Sequence, residues 1–299
     1  MVEVEILECV PNFSEGRDAG KIREIILSLR QPGVMLLDYS ADRDHNRMVV
    51  TVAGPPDAVV EGAIRAVGKA AELIDLREHR GVHPRMGAAD VVPFVPIAGL
   101  NLERAARLAR HAGEEIHRRY GVPVFFYESA AEREEMRRLE NVRRGQFEGT
   151  EALGKRPDIG GALHASAGAA IVGARDFLVA TNLLLETTDV RIAKQIARRV
   201  RESGGGFKSV KALGVEVRGR AQVTVNVTDF RQTPVQQVFE YVKQLAAEYG
   251  TEIREGELIG LVPEAALVAG SEWTAVIPGY SPETKVLERR LENPMAWPE

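Results

Sequence analysis

Val50-Thr51-Val52, just before a helical stretch, recurs as Val223-Thr224-Val225 ahead of a second helical stretch. A second pair keeps this order: Val95-Pro96-Ile97-Ala98-Gly99-Leu100 recurs as Val262-Pro263-Glu264-Ala265-Ala266-Leu267. The separations within each half are similar, which indicates an internal duplication. Around each pair, apolar spacing predicts the order strand-helix-strand-strand-helix-strand. The sequence therefore predicts an α/β (α+β) protein of two ferredoxin-like βαββαβ subdomains, with facing sheets and the helices outside.

The individual elements follow from hydrophobic periodicity and turn residues. Glycine and alanine are dense in residues 157–175, which are predicted to link the two units. The domains are therefore expected at residues 1–175 and 176–299, with the tail 271–299 in the second. Predicted strands cover 2–10, 34–38, 48–52, 91–96, 122–127, 177–185, 210–217, 221–227 and 258–262, and predicted helices cover 21–29, 55–74, 101–120, 130–144, 189–202 and 235–249.

Composition excludes several classes of protein. The chain has 299 residues, of which 44% are hydrophobic and 27% charged, which is typical of a globular protein. Its net charge of -4 gives no pull toward nucleic acid or an anionic membrane. The single cysteine, Cys9, excludes a disulfide framework and a multi-cysteine zinc site. An acidic N-terminus unlike a signal peptide, and no apolar run long enough to span a bilayer, predict a cytoplasmic protein.

The segment 77–90 carries two histidines, three arginines and two glycines just before a predicted buried strand. His79 and His83 have the spacing of a helical zinc pair, but Gly81 and Pro84 oppose a helix and no third ligand is evident, so no metal is expected. His83 is a candidate general acid or base near neutral pH. The alternative is a loop histidine that donates to a backbone carbonyl.

Three further segments are candidates for binding. Arg47 follows a polar turn and could clamp a carboxylate bidentately, or could belong to an ordinary charged hairpin. The stretch 158–168 would let a flat ligand approach the backbone, with His164 as a polar handle, or could be a flexible linker. The segment 204–209 lacks the residue order of a phosphate loop, so nucleotide binding is not expected.

Five motifs occur in order through roughly residues 4 to 267. They are Cys9-Val10-Pro11-Asn12-Phe13-Ser14-Glu15-Gly16, His45-Asn46-Arg47, His83-Pro84-Arg85-Met86-Gly87-Ala88-Ala89-Asp90, Pro157-Asp158-Ile159-Gly160 and Val172-Gly173-Ala174-Arg175. Together they resemble the folate-dependent glutamate formiminotransferases, which correspond to the transferase part of a bifunctional animal enzyme. The resemblance implies transfer of the formimino group from N-formimino-L-glutamate to tetrahydrofolate, a late step of histidine breakdown. It also implies two α/β subdomains that face each other across a folate-binding tunnel.

The resemblance further implies roles for particular residues. The family's catalytic histidine falls on His83, and a further folate contact falls near Gly205. Because both substrates carry glutamate carboxylates, Arg47 and Arg85 are candidate clamps on physical grounds. The implied protein is a homodimer with tetrahydrofolate as co-substrate and small-molecule substrates, without metal, nucleic acid or membrane. The implied folate-binding stretch is Gly160, Gly161, Ala162, Leu163, His164, Ala165, Ser166, Ala167 and Gly168.

The chain departs from the family pattern at a few positions. Val82 stands where family members usually have glutamate, and Ser40 stands where the animal enzyme has aspartate. Gly161 replaces the usual proline after Gly160, in a stretch one residue short. Loss of nearby carboxylates changes the basicity of a histidine. Two alternatives therefore stay open: a related transferase using 5-formyltetrahydrofolate and glutamate, and a folate-binding protein with weak catalysis.

Overall fold

The computed structural model describes residues 4–267 and 272–299 and divides the chain into two compact units. The first unit runs to Arg175 and includes Pro294–Glu299, and the second is Asp176–Asn293. The end of the tail thus groups with the first unit, and the rest of the described tail groups with the second. The Met295 N–H donates to the Leu36 carbonyl (2.8 Å), and Met295 packs against the first core. Residues 2–3 of the first predicted strand and residue 271 of the tail lie outside the described residues.

The first unit is built on a seven-stranded mixed sheet. Its helices are α1 (Ala19–Ser28), α2 (Pro56–Leu73), α3 (Leu102–Tyr120), α4 (Leu139–Arg143) and α5 (Gln146–Gly149). Its strands are β1 (Ile6–Cys9), β2 (Asn12–Phe13), β3 (Met35–Asp42), β4 (Arg47–Gly54), β5 (Ala89–Ala98), β6 (Val124–Glu128) and β7 (Ala170–Ala174). Antiparallel pairing gives the order β5-β1-β4-β3, which with α1 and α2 is the ferredoxin-like arrangement. Parallel pairing then adds β7 and β6 beyond β5.

The second unit repeats the ferredoxin-like arrangement in a four-stranded antiparallel sheet of order β11-β8-β10-β9. The two predicted ferredoxin-like subdomains and the α+β class are thus confirmed. No helix of residues 4–267 and 272–299 is long and apolar enough to cross a membrane. The elements of this unit are β8 (Val179–Leu185), α6 (Val190–Val200), β9 (Val210–Val217), β10 (Arg220–Val227), α7 (Val235–Glu248), β11 (Ile253–Ile259), α8 (Pro282–Lys285) and α9 (Leu287–Glu292).

Three element predictions were wrong. The helix expected at 130–144 is instead a 3-10 turn (Glu134–Met136) followed by α4. Met136 and Val142, one from each, pack in a small apolar cluster with residues of β6. The linker expected at 157–175 contains β7, which lies in the sheet interior between β5 and β6. The last strand is β11, which begins before the predicted stretch 258–262. The prediction missed its start because Glu255 and Glu257 resemble loop residues in the sequence.

The two faces of the first sheet differ in chemistry. Successive strand residues point to opposite faces, so Leu7 and Cys9 join the core beneath α1, α2 and α3 while Glu8 points the other way. Met48, Val50 and Val52 of β4 likewise face the helices. Arg47 and Thr51 alternate with them and share the face of Glu8. Buried polar side chains therefore collect on the face opposite α1, α2 and α3.

Candidate active site

Asp90 at the start of β5 is the centre of a buried charge network. Its Oδ2 accepts hydrogen bonds from Arg47 Nη1 (2.8 Å) and Arg143 Nη2 (2.6 Å), and its Oδ1 accepts from the Met86 N–H (2.7 Å). Burial alone would raise the pKa of Asp90, but the charges of Arg143 and Arg47 and the backbone bond hold it below its usual value. Asp90 is therefore ionised at neutral pH and pairs two arginines at once.

His83 lies half-buried beside this network, in the loop between α2 and β5. Its Nδ1 is 2.7 Å from the Pro84 carbonyl oxygen, and because a carbonyl only accepts, Nδ1 carries the proton. The lone pair is then on Nε2. Burial, followed by the positive charges of Arg47 and Arg143, holds the pKa of His83 well below its usual 6.5. His83 is therefore a neutral imidazole whose Nε2 can accept a proton.

A second histidine fastens the loop of His83 to the turn between β3 and β4. His79 Nε2 lies 2.9 Å from the Asn46 carbonyl, and Asn46 Nδ2 donates to the Arg80 carbonyl (3.1 Å). The Gly16 N–H donates to Asn46 Oδ1 (3.0 Å), so a third segment joins. His79 and His83 are thus held by separate carbonyls. The structure brings no group of three or more potential metal-ligating side chains together within its described residues.

The two candidate clamp arginines are both buried, and each already donates hydrogen bonds to a carboxylate of the protein. Arg47 donates through Nε (3.1 Å) and Nη2 (2.8 Å) to Asn12 Oδ1, besides its bond to Asp90. Arg85 donates to both carboxylate oxygens of Glu148 (2.7 and 3.1 Å). The structure brings Arg47 to the His83 network, whereas Arg85 anchors α5 to the loop. A substrate carboxylate bound by Arg85 would have to displace Glu148.

The glycine-rich stretch ends directly beside the His83 loop. Gly168 forms an antiparallel bridge with Gly87, and a Cβ at Gly168 would lie 2.1 Å from the Met86 carbonyl oxygen. Gly168 also has a φ of +67°, which favours glycine. His164 Nδ1 accepts from the Ala167 N–H (3.1 Å) and closes the turn. Gly205 belongs to the second unit, where it follows a 3-10 turn.

The two departures from the family pattern lie in different surroundings. Val82 is 55% exposed and its N–H donates to the Asp44 carbonyl (3.3 Å). Ser40 pairs with Val49 on β4, so it shares the polar sheet face with Arg47. A carboxylate at Ser40 would therefore add negative charge to the face that carries the Asp90 network.

Sequence reasoning missed Arg143 and Asn12 as members of this network. Asn12 lies in the first family motif, residues 9–16, and that motif is the only sequence signal for it. Arg143 lay in the stretch wrongly predicted as one long charged helix, and 53 residues separate it from Asp90. Nothing in the local sequence indicates that pairing.

Comparison with known proteins places these features in a family context. The family model "formiminotransferase domain, N-terminal subdomain" matches residues 6–175, and "formiminotransferase domain" matches residues 180–276. A glutamate formimidoyltransferase of Streptococcus pyogenes serotype M1 is 41% identical over 96% of this chain and 99% of its own. A glutamate formimidoyltransferase of Thermoplasma acidophilum is 39% identical over 97% of this chain and 98% of its own length. A formimidoyltransferase-cyclodeaminase of Gallus gallus is 40% identical over 90% of this chain and 52% of its own length.

Proposed function

Because the chain belongs to the formiminotransferase family, we propose that it transfers the formimino group of N-formimino-L-glutamate to tetrahydrofolate. The products are 5-formiminotetrahydrofolate and L-glutamate. The observation that carries the proposal is the neutral His83, with a free Nε2, in a chain about 40% identical to relatives named for this activity. The first unit supplies the base, and tetrahydrofolate acts as co-substrate.

The proposed reaction is a proton relay through His83. The N5 nitrogen of tetrahydrofolate attacks the carbon of the protonated amidine, forming the N5–C bond while the C=N electron pair moves to the imino nitrogen. His83 Nε2 takes the proton from N5 of the resulting tetrahedral intermediate. His83 then returns this proton to the glutamate nitrogen, so that the C–N bond breaks and glutamate leaves as an amine. A group that both takes and returns a proton typically contributes about 10²–10⁴-fold to the rate. The scheme uses no metal ion.

The purified protein is expected to form 5-formiminotetrahydrofolate when both substrates are present, followed spectrophotometrically. Reactions lacking either substrate are the controls. Absence of product, with tetrahydrofolate still binding in calorimetry, would contradict the proposed reaction. The folate-binding alternative would then stand, and 5-formyltetrahydrofolate with glutamate would be the next pair to test.

As the pH is lowered, kcat/KM is expected to fall only below pH 6.5, and this fall is the acid limb of the profile. The free enzyme must hold His83 neutral to accept a proton, and its pKa is held down by burial and by Arg47 and Arg143. Arg143→Gln removes one of these charges, so the pKa of His83 should rise and the limb should move to higher pH. Rate profiles from pH 5 to 8 measure both effects.

Arg144→Gln is the matched control for this experiment. Arg144 is exposed and follows Arg143 directly, so its substitution should leave the limb in place. A wild-type limb at or above pH 6.5, or an equal shift in both variants, would show that His83 is not the titrating group.

A further inference from the structure

Glu8 in the centre of the first sheet is a buried carboxyl group that the mechanism does not use. It is 1% exposed, and neither Oε1 nor Oε2 has a hydrogen-bond partner. Its strand neighbours Ala53 and Val95 carry no side-chain donors. A buried polar group without a partner costs free energy in either protonation state. Such a group in a native protein calls for an explanation, and a catalytic or binding role is one of those that apply.

Asp90 provides an internal comparison, because it is also a fully buried carboxyl in the same sheet. Asp90 accepts from two arginines and one backbone N–H, and its pKa lies below the usual value. Glu8 accepts from none, and burial raises its pKa to about 8 against the opposing charge of Arg175. The fold therefore satisfies the buried carboxyl of Asp90 completely and leaves that of Glu8 without a donor.

The surroundings of Glu8 favour a ligand with N–H donors. Glu8 points to the sheet face opposite α1, α2 and α3, which is the face of Arg47. The Arg175 guanidinium carries a positive charge that opposes the rise in the pKa of Glu8. It nevertheless donates no hydrogen bond to Glu8. Both carboxyl oxygens thus lie buried on the polar face without a hydrogen-bond partner.

We propose that Glu8 is a further substrate-binding residue, which releases its proton on binding and, as a carboxylate, accepts hydrogen bonds from two N–H groups attached to one carbon of a substrate. A carboxylate presents two oxygens in one plane, which match a fork of parallel N–H donors. The proposal rests on the proposed function, and both substrates carry such a fork. In formiminoglutamate it is the amidine, and in tetrahydrofolate it is the N3–H and 2-amino edge of the pterin.

Glu8→Gln tests this assignment. The amide turns one acceptor into a donor, so the fork loses a hydrogen bond to a charged group, and binding of one substrate should weaken about 10–100-fold. The thermal midpoint of the free protein should stay close to wild type, because a neutral amide replaces a carboxyl whose pKa of about 8 keeps it largely protonated at neutral pH. A purely structural glutamate would not separate stability from affinity in this way. Calorimetry with each substrate and steady-state KM values are the measurements.

The two possible sources of the fork give different results. An amidine partner raises the KM of formiminoglutamate and leaves tetrahydrofolate binding unchanged, whereas a pterin partner weakens tetrahydrofolate binding itself. Affinities and KM values within twofold of wild type for both substrates overturn the assignment. If Glu8→Gln does not fold, Glu8→Asp replaces it. Its shorter side chain withdraws the carboxylate from the fork, so one substrate should again bind more than twofold more weakly.

Failure of the proposed function is distinguishable from failure at Glu8. A wild-type protein that binds neither substrate overturns both. Wild-type turnover together with an unaffected Glu8→Gln overturns only the role of Glu8. Glu5→Gln is the matched control, because Glu5 precedes the same strand and pairs with Arg104 at the surface. It should leave both affinities unchanged.

Discussion

Replacing His83 by alanine is expected to lower kcat by about 10²–10⁴-fold, the usual contribution of a general acid–base group. Alanine removes the Nε2 lone pair that the proposed relay needs both to take and to return a proton. The imidazole is neutral, so its loss removes no charge from the neighbouring Asp90 network. Affinity for tetrahydrofolate should therefore change little. Steady-state kinetics and calorimetry on the same preparation separate the two effects.

His111→Ala is the matched control for His83→Ala, because His111 is an exposed histidine on α3 of the same unit. It should retain wild-type kcat. Added imidazole should restore part of the turnover of His83→Ala by supplying the missing base. Parallel losses of turnover and tetrahydrofolate affinity in His83→Ala would instead identify His83 as a binding or structural residue.

Elements with a local signal were predicted closely from the sequence. The hairpin of β9 and β10 was predicted at 210–217 and 221–227 and lies at Val210–Val217 and Arg220–Val227. Apolar and polar residues alternate in both strands, and Gly219 supplies the positive φ of +70° at the turn. By contrast, β7 is a short, continuous run of small apolar residues. A strand buried on both faces shows no alternation, so composition alone resembled a linker.

The residues of the candidate site also fall into those with a local sequence signal and those that only the tertiary fold brings together. The loop containing His83 was singled out because histidines, arginines and glycines are dense before a buried strand. The partner of Asp90 on α4 could not be predicted, since Arg143 reaches it only through the tertiary fold. Glu8 was overlooked because alternation explains an acidic residue on a strand as solvent-facing. In the structure that position is buried, and only the fold reveals this.

Replacing Asp90 by asparagine is expected to destabilise the first unit by about 3–5 kcal/mol, the usual cost of removing one partner of a buried ion pair. Asparagine preserves the acceptor for the Met86 N–H but leaves Arg47 and Arg143 facing no negative charge. Burial already lowers the pKa of Arg47 to about 10, and Asp90 opposes this effect. Denaturant unfolding measures the loss. Glu114→Gln, at an exposed position of α3, should stay within about 0.5 kcal/mol of wild type.

Acid titration tests the same network independently. The pKa of Asp90 is lower in the folded protein than the unfolded value of about 3.9, so its stabilising contribution is complete above that value. The contribution is lost as the pH falls from there toward the folded pKa. The stability difference between wild type and Asp90→Asn should therefore be largest near neutrality and shrink on acidification below about pH 4. A difference that stays constant across this range would mean that packing, rather than the charge of Asp90, stabilises the network.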